Sequence, residues 1–413
     1  MPFKFESKKT KIICFQRNGH IPKKIFYFGA QIVEKTASYK YLGTIVTNTG
    51  SFKTNEANLK KKGLRASFLI AKISQHAKPS STLNIYEKVV EPILMYNCEV
   101  SLAYLPKTWS YEKFQTNMWD VGGEVNKVTL SFLRQTLGVH KKTPNLAILG
   151  EMGKYPISVK IFSHIVKYWF RLVLSENALL KASKQSNIGL DKLGYQNWFK
   201  IVKFLSKMTG IDILVDDEKV INKVLKDFDL KIKKLYEKWW MDKMMSVDNR
   251  KLAFYFNYKK TFNFEQYLDI LPRHIRIHMT RLRTSSHSFP IETLRYNRPK
   301  IAAQDRKCNL CSNDAVGDEY HYLMNCSNDA FILQRDKFLC TIKQKIPTFE
   351  TFNLPNIIEY CLHMHDTRTI TEIAEYVKSI TSIFKDLRNM KKAEEPTITR
   401  CGRTVRKPIK LDL

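Results

Sequence analysis

Cys308, Cys311, His321 and Cys326 follow the pattern Cys-x2-Cys-x9-His-x4-Cys. Three thiolates and an imidazole are the donor set of a closed tetrahedral zinc site, and the two-residue spacer lets the first two sulfurs converge on one ion. The more distant His and Cys then close the loop. Because protein supplies all four donors, the expected Zn2+ is structural rather than hydrolytic. So short a stretch cannot build its own core, so metal binding is expected to fold it. The alternative is a group of ordinary buried cysteines beside a chance histidine. Cys340 is the substitute if one ligand is misassigned.

A second chemistry belongs to the cations. The 413 residues hold 69 Lys and Arg against 39 Asp and Glu, a formal charge of +30. Such an excess creates a positive field that favours polyanions, and the expected partner is nucleic acid, RNA or DNA. Basicity alone does not distinguish DNA, RNA and anionic lipid. Two places concentrate the charge. Lys60, Lys61, Lys62 and Arg65 lie between apolar residues at helical spacing. The run from Arg273 to His287 precedes the cysteines; as a helix it sets Ile275, Met279 and Leu282 on one face, Arg276, Thr280 and Arg283 on another, and His274, His278 and Arg281 on a third. A packed face and a basic face are expected, with Arg273, Arg276, Arg281 and Arg283 offered to phosphates, because the guanidinium fork matches phosphate oxygens. The alternative is a solvated helix whose charges pair with neighbouring acids. Trp239, Trp240, Tyr255 and Tyr258 have rings of a kind that can stack on unpaired bases, but such residues more often fill a helical core. His278 and His287 are expected as surface or core residues rather than metal ligands.

The elements that carry these groups are mainly helical. A hydrophobic content of 44% suits two or three packed domains. The first fifty residues alternate short β-type runs and turns (Lys11 to Phe15, a turn at Asn18-Gly19, Ile25 to Val33, Tyr39 to Val46), which predicts a small antiparallel meander. From Phe52 the spacing becomes helical, with Leu59, Leu64, Phe68 and Ile73 apolar and Pro79 ending the helix. A second helix is expected from Thr82, kinked at Pro92, and a third from Asn126 to Gly138. The segment 159–256 is almost continuously helical in pattern. Within it, Glu218 to Met245 carries the stripe Val220, Val224, Phe228, Ile232, Leu235 and Trp239, expected as core packing. Leu354 to Leu387 is again helical, and the tail from Met390 is expected to be disordered. The boundaries that follow are 1–50 (meander), 51–125, 126–300, 301–345 (knuckle), 346–389 and 390–413. No apolar run reaches signal-peptide length or the ~18 residues of a membrane span. Eight cysteines, mostly scattered, do not read as a disulfide framework. An intracellular protein of nucleus or cytoplasm is expected, with no membrane partner.

Several motifs in order carry a resemblance. Lys9-Thr10-Lys11, a hairpin, and Tyr39-Lys40-Tyr41-Leu42-Gly43 resemble the end of the palm in non-LTR retrotransposon (jockey- or LINE-like) reverse transcriptases. Ile85 to Val100 resembles the helix after that palm, and Leu137 to Pro156 the later linker. Met279 to Thr293, the Cys308 to Cys326 segment and Arg335 resemble the zinc-knuckle region. The resemblance implies thumb-like helices at 51–125, a helical linker and a knuckle that engages nucleic acid, with the Tyr39 to Gly43 strand holding the primer end and Lys9 and Lys11, on the strand after the catalytic turn, among the nucleic-acid contacts. It also places the family's metal-binding carboxylates upstream of Lys9, so the expectation is a truncated chain that binds nucleic acid without polymerase catalysis. A fragment of an active RNA-directed DNA polymerase and a helical interaction protein are the alternatives. Leu214-Val215-Asp216-Asp217 resembles the family's catalytic turn, but it follows the Tyr39 motif instead of preceding it. A pair of aspartates opening a helix is expected instead to cap its free amides and complement its dipole.

Overall fold

The computed structural model describes residues 10–16, 19–103, 109–195, 197–246, 251–345, 369–394, 397–398 and 404–405. Lys9, Asn18 and the segment 354–368 lie outside them. The chain forms two compact units. One comprises Met1–Ala77, Ser81–Phe132 and Tyr155–Trp239, the other Lys78–Ser80, Leu133–Lys154 and Trp240–Leu413. Both are dominated by helices, with five short strands near the N-terminus.

In the first unit, β1 (Lys11–Ile12) runs parallel to β3 (Gln31–Lys35), and β3 pairs antiparallel with β2 (Phe26–Phe28). A separate hairpin joins β4 (Ser38–Tyr41) to β5 (Thr44–Thr47). The runs expected as single strands, Ile25 to Val33 and Tyr39 to Val46, are thus each a hairpin. Two residues turn each chain, Gly29-Ala30 and Leu42-Gly43, and hairpins need no more than that. The parallel β1 also departs from a pure meander.

Helix α1 (Lys53–Ile73) ends before Pro79, which instead opens α2 (Pro79–Leu94); proline suits a first helical turn, where its missing N–H is not needed. Helix α2 continues through Pro92 to Leu94. Gly63 lets α1 approach α2 closely, since a Cβ there would sit 2.3 Å from Leu94 Cδ2. Helix α3 (Gly123–Leu137) starts three residues earlier than its spacing suggests and stops at Gly138. That glycine has φ +68°, and a Cβ would also strike Ile277 at 2.7 Å, so both conformation and space demand it. The remaining helices used below are α4 (Asn145–Glu151), α5 (Ile157–Leu174), α6 (Ala178–Lys192), α7 (Phe199–Thr209), α8 (Glu218–Met245), α9 (Arg273–Arg283), α10 (Asp329–Lys345) and α11 (Ile370–Glu394).

The first unit packs around α5, whose Ile161, Phe162, Ile165, Val166, Trp169 and Phe170 are buried. Three buried polar groups there find partners: Trp169 donates its indole N–H to the Ile213 carbonyl at 2.8 Å, and the Tyr86 and Thr129 hydroxyls bond at 3.0 Å. Along α8 the buried residues are Ile221, Phe228, Ile232, Tyr236, Trp240 and Met244. Val220 is exposed, and Val224, Leu235 and Trp239 only half-buried. The expected stripe is therefore right at Phe228 and Ile232 and one position early at its ends. Rotation by one residue buries Tyr236 and Trp240, the larger aromatic surface. Asp217 accepts the Val220 amide at 2.9 Å, so this member of the aspartate pair caps α8 as expected.

In the second unit α9 and α10 each pack against α11. Where the tail is expected to be disordered, α11 runs past Met390 to Glu394, and Thr397–Ile398 pairs antiparallel with Thr404–Val405; its other residues lie outside the described ones.

Candidate metal centre

A small hairpin delivers the first two cysteines. Lys307 bridges Val316, the Cys308 amide donates to Ala315 O at 2.8 Å, and the Gly317 amide to Arg306 O at 2.9 Å. Asp314 turns the chain with φ +45°, a conformation Asp tolerates better than most residues. The second pair comes from one helical turn, His321–Asn325, of π type, whose entry Asp318 caps by accepting the His321 amide at 2.8 Å. Residues five apart on an α-helix point about 140° from each other. Here the Cys326 amide reaches the His321 carbonyl at 2.7 Å, the wider turn brings the pair toward one side, and imidazole and thiol meet the hairpin.

One donor atom from each of Cys308, Cys311, His321 and Cys326 lies within 4.8 Å of the others, so the four converge as the spacing predicts. Cys311 Sγ and His321 Nε2 are 3.4 Å apart. Cys308, His321 and Cys326 are buried and Cys311 is partly exposed. The surroundings suit anionic sulfur. The Leu310 amide points at Cys308 Sγ from 3.4 Å. Tyr322 is fully buried with no hydrogen-bond partner of ordinary geometry for its hydroxyl, which lies beside the Cys308 sulfur. A thiolate there would accept from it. The neighbouring Cys326 thiol, followed by the His321 ring, draws Cys308 down to about 3, well below the usual thiol range, while the same contact and burial push Cys326 up. Without a cation the buried sulfurs therefore share protons rather than all ionising; a metal ion removes that conflict. Protein fills all four places of a tetrahedron, which is a holding rather than a reacting arrangement.

The residues around the four donors are tied to helices. Arg335 donates to the Cys326 carbonyl at 2.6 Å and Asn328 to Leu310 O at 3.2 Å. Behind the site, Tyr322 packs on Phe289 at 4.6 Å, Phe384 at 4.8 Å and Phe331 at 5.5 Å between ring centroids. The cluster is thus seated on the core of its unit. Cys340 sits exposed on α10, outside it. His287 pairs with Glu319 at 2.7 Å and His278 with Thr381 at 2.6 Å, so neither histidine is a ligand.

The basic residues fare less uniformly. Lys61, Lys62 and Arg65 are exposed on α1, whereas Lys60 pairs with Glu124 at 2.7 Å and Lys11 with Glu34. On α9, Ile275, Met279 and Leu282 are buried as expected. The Arg276, Thr280 and Arg283 face is buried too, which corrects its expected role toward phosphate. Arg276 donates to the Leu268 carbonyl at 2.8 Å. Arg283 is 1% exposed, between Glu151 at 3.0 Å and Glu265 at 3.2 Å. Burial opposes its charge, but the two carboxylates outweigh that and hold it firmly protonated. Lys259 and Tyr267 complete this interior network. Arg281 is exposed and Arg273 half-exposed, so these two remain accessible. Trp240, Tyr255 and Tyr258 are core residues and Trp239 is half-buried against Trp119, leaving no free stacking platform among the four.

A second trio, Cys98, Glu99 and His164, also brings its donor atoms within 4.8 Å. No spacing signals it, because His164 lies far down the chain from the adjacent Cys98 and Glu99. It offers three donors, and burial followed by the Glu99 charge pushes the Cys98 thiol up, favouring the protonated form. Among the described residues no helix is long and apolar enough to cross a membrane. No family model matches the chain, and neither a curated protein nor a solved structure matches it.

Proposed function

We propose that Cys308, Cys311, His321 and Cys326 hold one structural Zn2+ and that the chain binds nucleic acid, as a relative of the C-terminal part of non-LTR retrotransposon reverse transcriptases. The observation that carries the metal is the convergence of four donors around a sulfur already addressed by an amide and an orphaned hydroxyl. Zinc is favoured over harder cations because three donors are sulfur and the geometry is closed. Nucleic acid is supported by the +30 charge, by the exposed Lys61, Lys62, Arg65 and Arg281 and by the half-exposed Arg273. The order of the retroelement-like motifs supports the lineage.

The test couples metal analysis to binding. Purified protein should carry one zinc per chain, and Cys311→Ser should lose most of it. Binding of a generic RNA or DNA oligonucleotide should be measurable at low salt and fall steeply as salt rises, since each neutralised phosphate releases a counterion. Unchanged zinc in Cys311→Ser would refute the ligand set, and no binding at low salt would refute the nucleic-acid reading.

A second reading, a fragment of an active polymerase, is favoured by one feature. The β2–β3 hairpin leaves Tyr27, Phe28 and Ile32 about 60% exposed, an apolar strand surface of the kind that proteins usually cover. An in-frame palm with paired aspartates in the genomic sequence before Met1 would decide for it, and stop codons there against it.

A further inference from the structure

We propose that a cavity of about 440 Å³ lined by residues of α9, α11 and their neighbouring segments is a site for a phosphate monoester, the terminal phosphate of a nucleic-acid strand. This rests on the nucleic-acid reading and sharpens it. The cavity lies within the second unit, where the turn after α9 meets α11 and the segment before α4. Its walls carry the cations Lys142, Lys251, Arg281 and Lys385 and the hydroxyls of Ser285 and Ser286. Among the described residues Glu292 is the one carboxylate on its lining, and it is already shared by Lys251 at 3.2 Å and Arg295 at 2.8 Å. Positive charge is therefore in excess. Two neighbouring histidines sense it. Burial, followed by Lys141, Lys142, Lys251 and Arg281, lowers His140; burial, followed by Arg281, Lys378 and Lys385 against Glu375, lowers His278.

The cations are held in place rather than left loose. Tyr296 accepts a hydrogen bond from Lys251 at 2.9 Å, and Lys142 sits 3.8 Å over the centroid of the same ring. Arg281 is anchored through Nε on the Gly138 carbonyl at 2.7 Å, which leaves its terminal nitrogens for another acceptor. Ser286 is fixed by the His140 amide at 2.8 Å and Thr143 at 2.9 Å. Ser285 is the most telling residue. It is 2% exposed, lines the cavity, and its hydroxyl has no hydrogen-bond partner among the described residues. It also holds φ +49°, the left-handed position after a helix that glycine normally takes, at a cost of order 1 kcal/mol. Glycine would relieve the strain and remove a hydroxyl donor from the lining.

Charge and shape choose the ligand. A phosphate monoester carries about −1.5 to −2 at neutral pH, against a single charge for a backbone diester. Excess positive charge and free donors reward the difference. A duplex presents its phosphates on a convex surface and cannot insert them into a concavity of this size, whereas a strand end can.

The experiment uses the full zinc-loaded chain and one single-stranded oligonucleotide prepared with a 5′-phosphate, with a 3′-phosphate and with neither. Fluorescence anisotropy should show one phosphorylated form binding roughly tenfold tighter than the unphosphorylated one, the value of a charge-assisted hydrogen bond. The double variant Lys142→Gln/Lys385→Gln should reduce that preference below about twofold, with zinc content and melting temperature unchanged. Equal binding of all three forms overturns the pocket and leaves the nucleic-acid reading intact. A preference that survives the double variant overturns it as well. If no oligonucleotide binds, the melting temperature with adenosine monophosphate against adenosine decides: a shift with the monophosphate alone keeps the site and rejects the nucleic-acid reading, and no shift overturns both.

Discussion

Helices α1 and α9 are written with the same ingredients, apolar residues at helical spacing and cations between them, and they put those cations to opposite uses. On α1, Lys61, Lys62 and Arg65 face water with no ion pair among the described residues. On α9, Arg276 and Arg283 face inward and hold carbonyls and carboxylates together. What separates the two is the partner. Two acids meet Arg283: Glu151 from a segment far away in the chain and Glu265 from the stretch before α9. Among the described residues, the carboxylate that pairs within the Lys60 to Arg65 run is Glu124, and it takes Lys60. A cation's role is set by acids that local sequence does not contain. Burying one unpaired would cost far more than any packing could return.

The largest test of that contrast is removal of Arg283. Arg283→Ala leaves Glu151, itself 0% exposed, with Tyr267 and no guanidinium, and should destabilise the unit by about 3–5 kcal/mol. Denaturant unfolding followed by circular dichroism measures it. Arg65→Ala in the same assay should stay within about 0.5 kcal/mol. Equal losses in the two variants would erase the distinction between the helices.

The convergence of Cys308, Cys311, His321 and Cys326 is legible in the sequence because a CxxC hairpin and a His-x4-Cys turn are local devices, and local spacing dictates local geometry. The apolar face of α9 is legible for the same reason. The fate of its arginines is not, since Glu151 and Glu265 become neighbours only through folding. The stripe on α8 reads one residue early at its ends because periodicity alone does not weigh Tyr236 and Trp240 above Val220 and Leu235. The two hairpins read as single strands because their turns, Gly29-Ala30 and Leu42-Gly43, interrupt the apolar runs with only two residues. Ser285 in a glycine conformation is invisible to composition.

The second test concerns function rather than stability. Replacing Lys61, Lys62 and Arg65 together by alanine should leave the unfolding midpoint nearly unchanged. It should flatten the dependence of log affinity on log salt for an oligonucleotide, by about one for each phosphate no longer neutralised. A variant that kept the full salt slope would mean that exposed cations on α1 are only solvated, and the contrast with α9 would then be one of burial without function.

The smallest effect isolates Lys60, the one member of the α1 run that behaves as α9 does. Glu124 is drawn down to about 2, first by the hydrogen bond from Lys127 and then by that from Lys60. A carboxylate lowered in the folded state adds stability above its unfolded value, about 4.3, and loses that contribution as pH falls toward 2. Its side chain is 43% exposed, so water and salt screen the pair and the unfolding midpoint should barely respond. Side-chain NMR titration is sensitive enough. The Glu124 midpoint should rise toward the ordinary carboxylate range in Lys60→Ala and further in Lys127→Ala, while Lys61→Ala leaves it in place. If Lys60→Ala also leaves it in place, Lys60 is as free as its neighbours, and the whole α1 run, rather than three of its four cations, is open to phosphate.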